Sequence, residues 1–388
     1  MTQATDARWM GAALALAERG RGRTAPNPNV GCVIVADGRV VGRGWTQAGG
    51  RPHAEAMALA EAGAKARGAT AYVTLEPCAH QSPRGPACSD LLIESGVARV
   101  VAALEDPDVR TAGLGFARLG AAGIAVTRGT RAEEARRSMA GFLTRQALGR
   151  PHVTLKLATS LDGCIAMADG SSRWITGAEA RAHAHLERSR HEAILVGRGT
   201  YEADAPRLDV RLPGLEARSP KRVLLSANLT VPPAPSPSPR HSSESWNIPV
   251  ASHDGASRGD PSFRWRDGIG AGDEITAADK MIAERGVTAD GHASWTIISS
   301  PQAIITLPDI DHILVEGGAA VASAFLAADL VDRLILYRAP ILIGGGKPAL
   351  RDIGLTDLAD THQRWTHVDA RQLGSDRLEV YERERNEA

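Results

Sequence analysis

The sequence carries His53-Ala54-Glu55, then Pro77-Cys78, then Cys88. These three stretches supply one imidazole, two thiols and one carboxylate. Zinc bound by three protein ligands keeps a fourth position open for water, and it lowers the pKa of that water toward neutrality. The imidazole and the two thiols therefore predict a catalytic zinc site. The remaining carboxylate, Glu55, is then available to move protons.

The predicted local structure around these residues favours metal chemistry. The stretch from His53 to Ala66 is predicted as a helix, so His53 and Glu55 lie in a first turn, where free N–H groups and the helix dipole favour an anionic carboxylate. Cys88 precedes a second predicted helix, and a position near a helix N-terminus lowers the pKa of a thiol. A histidine, a nearby glutamate and two later cysteines are typical of zinc deaminases acting on cytosine-like or adenine-like rings.

Two alternatives remain open for these residues. Base deaminases often space their cysteines as Cys-x-x-Cys, whereas nine residues separate Cys78 from Cys88 here. A structural zinc with a fourth ligand, such as His80, is one alternative, because closed zinc sites use four protein ligands. The other is a pair of buried structural cysteines beside a histidine that caps a helix.

The composition indicates a two-domain protein without extreme charge. The chain has 388 residues, 43% of them apolar, and 45 basic residues balance 45 acidic ones. Zero net charge disfavours a nucleic-acid-binding protein, and the lack of any 18-residue apolar run argues against a membrane span. The N-terminus has no apolar core of a signal peptide, so we expect a cytoplasmic protein with metal-bound or free thiols. The cysteines are Cys32, Cys78, Cys88 and Cys164.

Strand-like and helix-like stretches alternate in both halves, which favours a layered α/β fold. Asp6 is predicted to cap a first helix that runs to about Arg19, and a second α/β unit begins near Pro151. Residues 231–273 break the pattern, because closely spaced prolines followed by polar residues predict a disordered insertion without its own core. The predicted strands are 30–35, 70–75, 97–104, 153–158, 193–196, 222–225, 313–315 and 334–337.

The segments Ala25–Cys32 and Glu76–Cys88 resemble the deaminase half of the bifunctional riboflavin-biosynthesis enzymes. That family pairs a pyrimidine deaminase with a 5-amino-6-(5-phosphoribosylamino)uracil reductase. The resemblance implies a cytidine-deaminase-like three-layer α/β/α domain over residues 1–147. It also implies site residues: His53, Cys78 and Cys88 as zinc ligands, Glu55 as proton donor, and Asn27 as a contact to the pyrimidine.

Three segments of the second half, Lys156–Gly163, Ser172–Gly177 and Val196–Pro206, resemble the reductase half of the same family. That half is similar to dihydrofolate reductase, which implies a dihydrofolate-reductase-like α/β domain over residues 148–388. Guanidinium groups bind phosphate through paired hydrogen bonds, which suits two of the implied substrate residues. The implied NADPH contacts are Ala158, Trp174, Thr200, Asp204 and Gly318. The implied substrate contacts are Ser172, Arg188, Leu208, Arg211 and Glu316.

The two resemblances together imply a bifunctional enzyme. The first domain is expected to deaminate 2,5-diamino-6-(5-phosphoribosylamino)pyrimidin-4-one with Zn2+, and the second to reduce the ribosyl side chain of the product to ribityl with NADPH. Small phosphoribosyl pyrimidines are the expected partners, with no nucleic acid or membrane, and a homo-oligomer is expected. The alternatives are a deaminase with a degenerate reductase half, a nucleic-acid base deaminase and a non-catalytic zinc-stabilised scaffold.

Overall fold

The computed structural model describes residues 2–80, 84–227, 283–285 and 295–385, with 283–285 described through the backbone only. The insertion predicted at 231–273 lies outside the described residues. The described chain forms two mixed β-sheets, one from each half, and a separate two-stranded pairing. Within these ranges, no helix has the length and apolar character that crossing a membrane requires. The prediction of an α/β fold in both halves is confirmed.

The first half folds around a five-stranded sheet. Its strands are β1 (Gly31–Ala36), β2 (Arg39–Trp45), β3 (Thr70–Val73), β4 (Arg99–Ala102) and β5 (Ala125–Thr127). Its helices are α1 (Gln3–Ala17), α2 (Ala54–Ala62), α3 (Cys88–Ser95), α4 (Leu114–Ala121), α5 (Ala132–Ser138) and α6 (Ala140–Leu148). The strand order is β2-β1-β3-β4-β5. β1 is antiparallel to β2 and β3, whereas β3, β4 and β5 run parallel.

Two glycines let helices pack closely against both faces of this sheet. A Cβ atom at Gly31 would overlap the Ala13 carbonyl oxygen of α1, and one at Gly44 would overlap the Ala54 carbonyl oxygen of α2. Gly44 pairs with Cys32, the residue after Gly31, so the two glycines face opposite sides of the sheet. α1 and α2 therefore cover opposite faces, which produces the predicted three-layer α/β/α domain.

The predicted cap of the first helix is wrong. Thr2 caps α1, and its side chain accepts a hydrogen bond from the Thr5 backbone N–H. Asp6 is buried inside the helix instead, where it accepts a hydrogen bond from Tyr72 Oη at 2.9 Å and pairs with Arg99 at 2.7 Å. The helix begins earlier than the local pattern predicts because Thr2 supplies the cap, and Asp6 instead ties α1 to the sheet.

The second half contains a nine-stranded sheet of order β10-β11-β9-β8-β12-β6-β13-β16-β15. The strands of this half are β6 (His152–Thr159), β7 (Cys164–Ala166), β8 (Ala193–Gly197), β9 (Lys221–Leu225), β10 (Ala283–Arg285), β11 (Trp295–Ile298), β12 (His312–Glu316), β13 (Arg333–Arg338), β14 (Lys347–Pro348), β15 (Trp365–Leu373) and β16 (Asp376–Arg383). Its helices are α7 (Ala178–Arg188), α8 (Arg198–Asp204) and α9 (Ala319–Ala327).

The centre of this sheet is parallel and apolar, and its edges are antiparallel. The six strands from β11 to β13 run parallel, whereas β10, β16 and β15 pair antiparallel at the two ends. Ligands of such α/β sheets bind outside the carboxyl ends of the parallel strands. That edge carries Glu316 at the end of β12 and its neighbour Lys156 on β6.

A polar junction joins the two halves. The Gly141 N–H of α6 donates to His312 Nε2 at 3.0 Å, and Arg145 pairs with Asp311 at 2.9 Å. α6 then leads directly into β6, where the chain changes sheet. The division into domains at 1–147 and 148–388 stays a prediction.

Replacing Gly31 with Ala should destabilise the first domain by about 1–3 kcal/mol, because the added methyl group overpacks the contact between α1 and β1. Urea unfolding of the purified chain measures the change. Gly120→Ala is the matched control, since a Cβ there meets no atom within 4 Å; this substitution lies in α4 and should stabilise it by up to about 1 kcal/mol. Equal effects of the two substitutions would contradict the close helix–sheet contact.

Candidate functional site

The three predicted zinc ligands meet at the N-terminal ends of two helices. His53 is the residue before α2, Cys88 is the first residue of α3, and Cys78 lies in the loop after β3. His53 Nδ1 lies 3.3 Å from Cys88 Sγ and 3.7 Å from Cys78 Sγ. All three ligand atoms lie within 4.8 Å of one another. The fold thus brings together the residues that the sequence motif predicted.

These distances fit a tetrahedral zinc ion. Zinc–nitrogen bonds of about 2.1 Å and zinc–sulfur bonds of about 2.3 Å at tetrahedral angles separate nitrogen from sulfur by about 3.6 Å. An imidazole with two thiolates is also a donor set that zinc favours. Among the described residues no fourth His, Cys, Asp or Glu joins the group, and His80 lies 3.3 Å from Thr111 Oγ1 instead. The arrangement therefore fits an open catalytic site better than a closed structural one.

The two cysteines differ in their electrostatic environment. A hydrogen bond from the Cys88 thiol lowers the pKa of Cys78 to about 4; burial opposes this effect and His53 adds to it. The same hydrogen bond, together with burial, raises the pKa of Cys88. The Cys88 N–H also donates to Cys78 Sγ at 3.3 Å. Both hydrogen bonds favour negative charge on Cys78, and a bound cation would favour ionisation of both thiols.

Glu55 is a buried carboxyl group beside these ligands. It lies in the first turn of α2 and is 3% exposed. Burial raises the pKa of Glu55 to about 7, and the nearby His53 opposes part of that increase. A group with a pKa near neutrality can both accept and donate a proton at physiological pH, which general acid–base catalysis requires.

Asn27 contacts the other side of the His53 ring. Its side-chain nitrogen donates to the Gly50 carbonyl oxygen at 3.0 Å and lies 3.1 Å from His53 Nε2. Asn27 therefore contacts the ring nitrogen that faces away from the cysteines. Its role in holding a pyrimidine stays a prediction.

Sequence reasoning missed one carboxylate that organises this site. Glu76 is buried and accepts hydrogen bonds from the backbone N–H groups of Asp106, Gly113 and Phe116. These bonds fix the start of α4 against the loop that carries Cys78. The partners lie 30 to 40 positions away in sequence, so no local pattern points to them.

In the second domain, two predicted substrate residues form a buried ion pair. Arg188 Nε and Nη2 each lie 2.8 Å from a carboxylate oxygen of Glu316. Burial alone would raise the pKa of Glu316, but Arg188 and Lys156 hold it at about 2. Lys156 also lies with its Nζ 5.8 Å from the centre of the Tyr337 ring. Lys156 belongs to a motif that the sequence shows, but the motif alone indicates no role for it. Its position beside Glu316 follows from the pairing of β6 with β12, which the sequence does not reveal.

A cavity of about 480 Å³ lies next to this ion pair. Arg207 and Arg211 line it and pair with Asp209 at 2.8 and 3.5 Å. Arg188 Nη1 donates to the Asp209 carbonyl oxygen at 3.1 Å, which connects the cavity to the buried pair. Leu208 is buried in the same turn, with a left-handed φ of 54°. The structure thus gathers four of the five predicted substrate residues: Arg188, Leu208, Arg211 and Glu316.

The predicted cofactor residues are spread over several elements of the same domain. Trp174 is 67% exposed, with the Arg181 guanidinium 4.6 Å from its ring centre. Asp204 lies 3.9 Å from Arg173, the residue before Trp174. Ser172, the fifth predicted substrate residue, precedes Arg173 and is exposed. The other three positions are Ala158 on β6, Thr200 on α8 and Gly318 immediately before α9.

The N-terminal ends of α8 and α9 lie close together. The glycines that end β8 and follow β12, Gly197 and Gly317, both pack against Val321 of α9. Their lack of a side chain lets the two strand-to-helix turns approach closely. The N–H groups at a helix start can bind an anion, which agrees with a phosphate-bearing cofactor at Gly318 without assigning one.

The two halves of the chain match two different family models. Residues 3–104 match the family model "Cytidine and deoxycytidylate deaminase zinc-binding region", and residues 151–254 and 304–378 match "RibD C-terminal domain". The chain is 41% identical over 383 residues to riboflavin biosynthesis protein RibD of Escherichia coli, which covers 96% of this chain and 97% of that protein. The chain belongs to the RibD family.

Solved structures of RibD proteins share the whole fold. Acinetobacter baumannii RibD (form 1) has a TM-score of 0.75 and 34% identity, covering 99% of this chain and 100% of that one. The deaminase/reductase of Thermotoga maritima has a TM-score of 0.74 and 31% identity, with the same coverage. The chain thus carries the deaminase and the reductase domain of riboflavin biosynthesis, and the predicted resemblance is confirmed.

Replacing Glu316 with Gln should cost about 3–5 kcal/mol of stability at pH 7, because it leaves Arg188 buried without its partner. The pKa of Glu316 falls from an ordinary 4.5 to about 2 on folding, so its contribution is fully present above pH 4.5 and is lost as the pH falls toward 2. The difference in unfolding free energy between wild type and variant, measured by urea titration at several pH values, should shrink only in that window.

Glu202→Gln serves as the control for this comparison, because Glu202 forms an exposed pair with Arg198. That variant should lie within about 0.5 kcal/mol of wild type at every pH. A Glu316→Gln difference that persists unchanged at the acid end would contradict the ionised buried pair.

Proposed function

We propose that the chain converts 2,5-diamino-6-(5-phosphoribosylamino)pyrimidin-4-one in two steps. Zinc-dependent hydrolytic deamination comes first, and NADPH-dependent reduction of the ribosyl side chain to ribityl follows. The observation that carries this proposal is the group of His53, Cys78 and Cys88 with buried Glu55 beside it. The Thermotoga maritima relative is named for the same pair of activities, a pyrimidine deaminase and a uracil reductase.

In the first domain, His53, Cys78 and Cys88 would hold zinc, which when bound supplies Lewis-acid activation of water. Glu55 takes a proton from the water as it attacks the ring carbon that bears the amino group. Glu55 then gives that proton to the departing ammonia. The raised pKa of Glu55, near 7, suits both transfers. Asn27 contacts the pyrimidine with an amide that both donates and accepts hydrogen bonds.

In the second domain, the protein contributes binding and orientation, and NADPH supplies the hydride when bound. Arg211 at the cavity suits the phosphate of the substrate, because guanidinium groups bind phosphate through paired hydrogen bonds. Holding donor and acceptor in one geometry accounts for the rate enhancement. The proposed NADPH contacts are Ala158, Trp174, Thr200, Asp204 and Gly318. The proposed substrate contacts are Ser172, Arg188, Leu208, Arg211 and Glu316.

We also propose a cytoplasmic location and a homo-oligomeric state. All four cysteines are free and buried, which agrees with a reducing compartment. Symmetric self-association is common among metabolic enzymes of this type, and sedimentation of the purified chain measures it directly.

Replacing Glu55 with Gln should lower the deaminase rate by at least about 100-fold, because the amide cannot transfer the proton. Zinc content, measured by elemental analysis, should stay at the wild-type level, since Glu55 is not a ligand. Glu61→Gln on the same helix is the control; Glu61 is exposed and pairs with Arg43, so that variant should react at the wild-type rate. An unchanged rate in Glu55→Gln would favour a zinc-stabilised scaffold.

Replacing Arg211 with Gln should raise the KM for the deaminated substrate by about tenfold or more, because one charge-assisted hydrogen bond to phosphate is lost. The loss of NADPH absorbance reports the reaction. Arg371→Gln, which removes an exposed pair with Asp369 on β15, should leave the KM unchanged. A wild-type chain that oxidises no NADPH would favour a degenerate reductase half, whereas an unchanged KM would contradict only the role of Arg211.

A further inference from the structure

A second cavity, of about 270 Å³, lies at the junction of the two domains. The first domain lines it with Gly22, Arg23 and Ala25, which belong to the turn leading to Asn27. The second domain lines it with residues 217–221 and with His191, Glu192 and Asp309. Ser219 lines both this cleft and the cavity that Arg207 and Arg211 line. The two cavities are therefore neighbours, and only the cleft includes both domains.

Three basic residues line this cleft. Arg23, Arg218 and Lys221 line it, and within the described ranges none of the three forms an ion pair. Arg218 is half-buried, and its pKa is lowered by burial and by the neighbouring Arg23 and Arg190. Arg23 is exposed, but it lines the same cavity as Arg218, so the two positive charges repel each other, and a bound anion would offset that repulsion.

The acidic residues of the cleft do not compensate these charges. The Glu192 carboxylate accepts a hydrogen bond from the His312 backbone N–H at 2.7 Å and lies 3.5 Å from the His312 ring. Asp309 is exposed at the edge of the cleft. Arg190 already pairs with Glu187 at 2.9 Å. Among the residues that the structure describes, Arg23 and Arg218, one from each domain, thus line a shared cavity without an ion-pair partner.

We propose that this interdomain cleft binds a phosphate monoester, held by Arg23 from the first domain and Arg218 from the second. A phosphate monoester carries a charge close to −2 at neutral pH and three acceptor oxygens, so it can satisfy two guanidinium groups at once. A carboxylate, with one negative charge, would leave one of them uncompensated. The volume of the cleft suits a small ligand or the phosphorylated end of a larger one.

A ligand in this cleft would contact the turn that serves the zinc site. The Arg23 carbonyl oxygen accepts a hydrogen bond from Gly49 N–H at 2.9 Å, and the next residue, Gly50, accepts one from Asn27. The binding site itself does not depend on the proposed function, because it rests on the charges of the cleft alone.

Calorimetric titration of the full-length zinc-replete chain with ribose 5-phosphate tests the proposal, with unphosphorylated ribose as the neutral probe. The experiment is done in an Arg207→Gln/Arg211→Gln background, which removes the two arginines of the neighbouring cavity. We expect ribose 5-phosphate to bind in this background. Adding Arg23→Gln and Arg218→Gln should weaken that binding by at least about tenfold, since two charge-assisted contacts are lost. Ribose should not bind detectably.

The control adds Arg39→Gln and Arg67→Gln to the same background, because both arginines are exposed and lie away from the cleft. Equal affinities of the cleft variant and this control would overturn the proposal, as would the absence of ribose 5-phosphate binding in the background protein. Lys221→Gln alone should give a smaller loss of affinity, which keeps the test decisive if the double substitution fails to fold. The Glu55→Gln assay is a separate measurement, so failure of the deaminase proposal is distinguishable from failure of this one.

Discussion

An imidazole and two thiols within 4.8 Å of one another impose the central constraint on the first domain. Two adjacent thiolates repel each other, so both sulfurs can be ionised at this distance only if a cation lies between them. A hydrogen bond from the Cys88 thiol limits the charge to one sulfur, because it lowers the pKa of Cys78 and raises that of Cys88. A metal ion would replace the thiol proton and leave both sulfurs ionised. The N-terminal ends of α2 and α3 must therefore point at one place, and the close packing of α2 on Gly44 fixes the first of them.

The second domain satisfies a comparable constraint without a metal. Arg188 and Glu316 are both mostly buried, so removing either side chain would leave the charge of the other buried without a partner. The pair joins the end of α7 to the end of β12 and thereby positions Asp209 and its cavity. A substrate phosphate at Arg211 would therefore meet a surface whose charges are already arranged, and little reorganisation would accompany binding.

The sequence predicts the interior of this fold better than its surface. The strand predicted at 30–35 is observed as Gly31–Ala36, because consecutive buried β-branched residues have few alternatives. β2 and β15 were missed, since β2 mixes exposed and buried residues and contains two glycines, whereas no residue of β15 is fully buried. The zinc ligands could be predicted because their chemistry is rare and their order is specific. The structural roles of Asp6 and Glu76 could not be predicted, because their hydrogen-bond partners, such as Tyr72 and Phe116, are distant in sequence.

The junction between the domains connects residues of both sites through backbone contacts. Gly22 has a left-handed φ of 76°, and a Cβ there would lie 2.5 Å from the Arg190 carbonyl carbon. Gly22 belongs to the turn that leads to Asn27, and Arg190 follows closely after Arg188. Backbone atoms in contact cannot adjust by rotating a side chain, so movement of either turn displaces the other. The turn that leads to Asn27 and the chain after Arg188 are therefore closely packed against each other, and a ligand bound between Arg23 and Arg218 would stabilise this packing from the adjoining cleft.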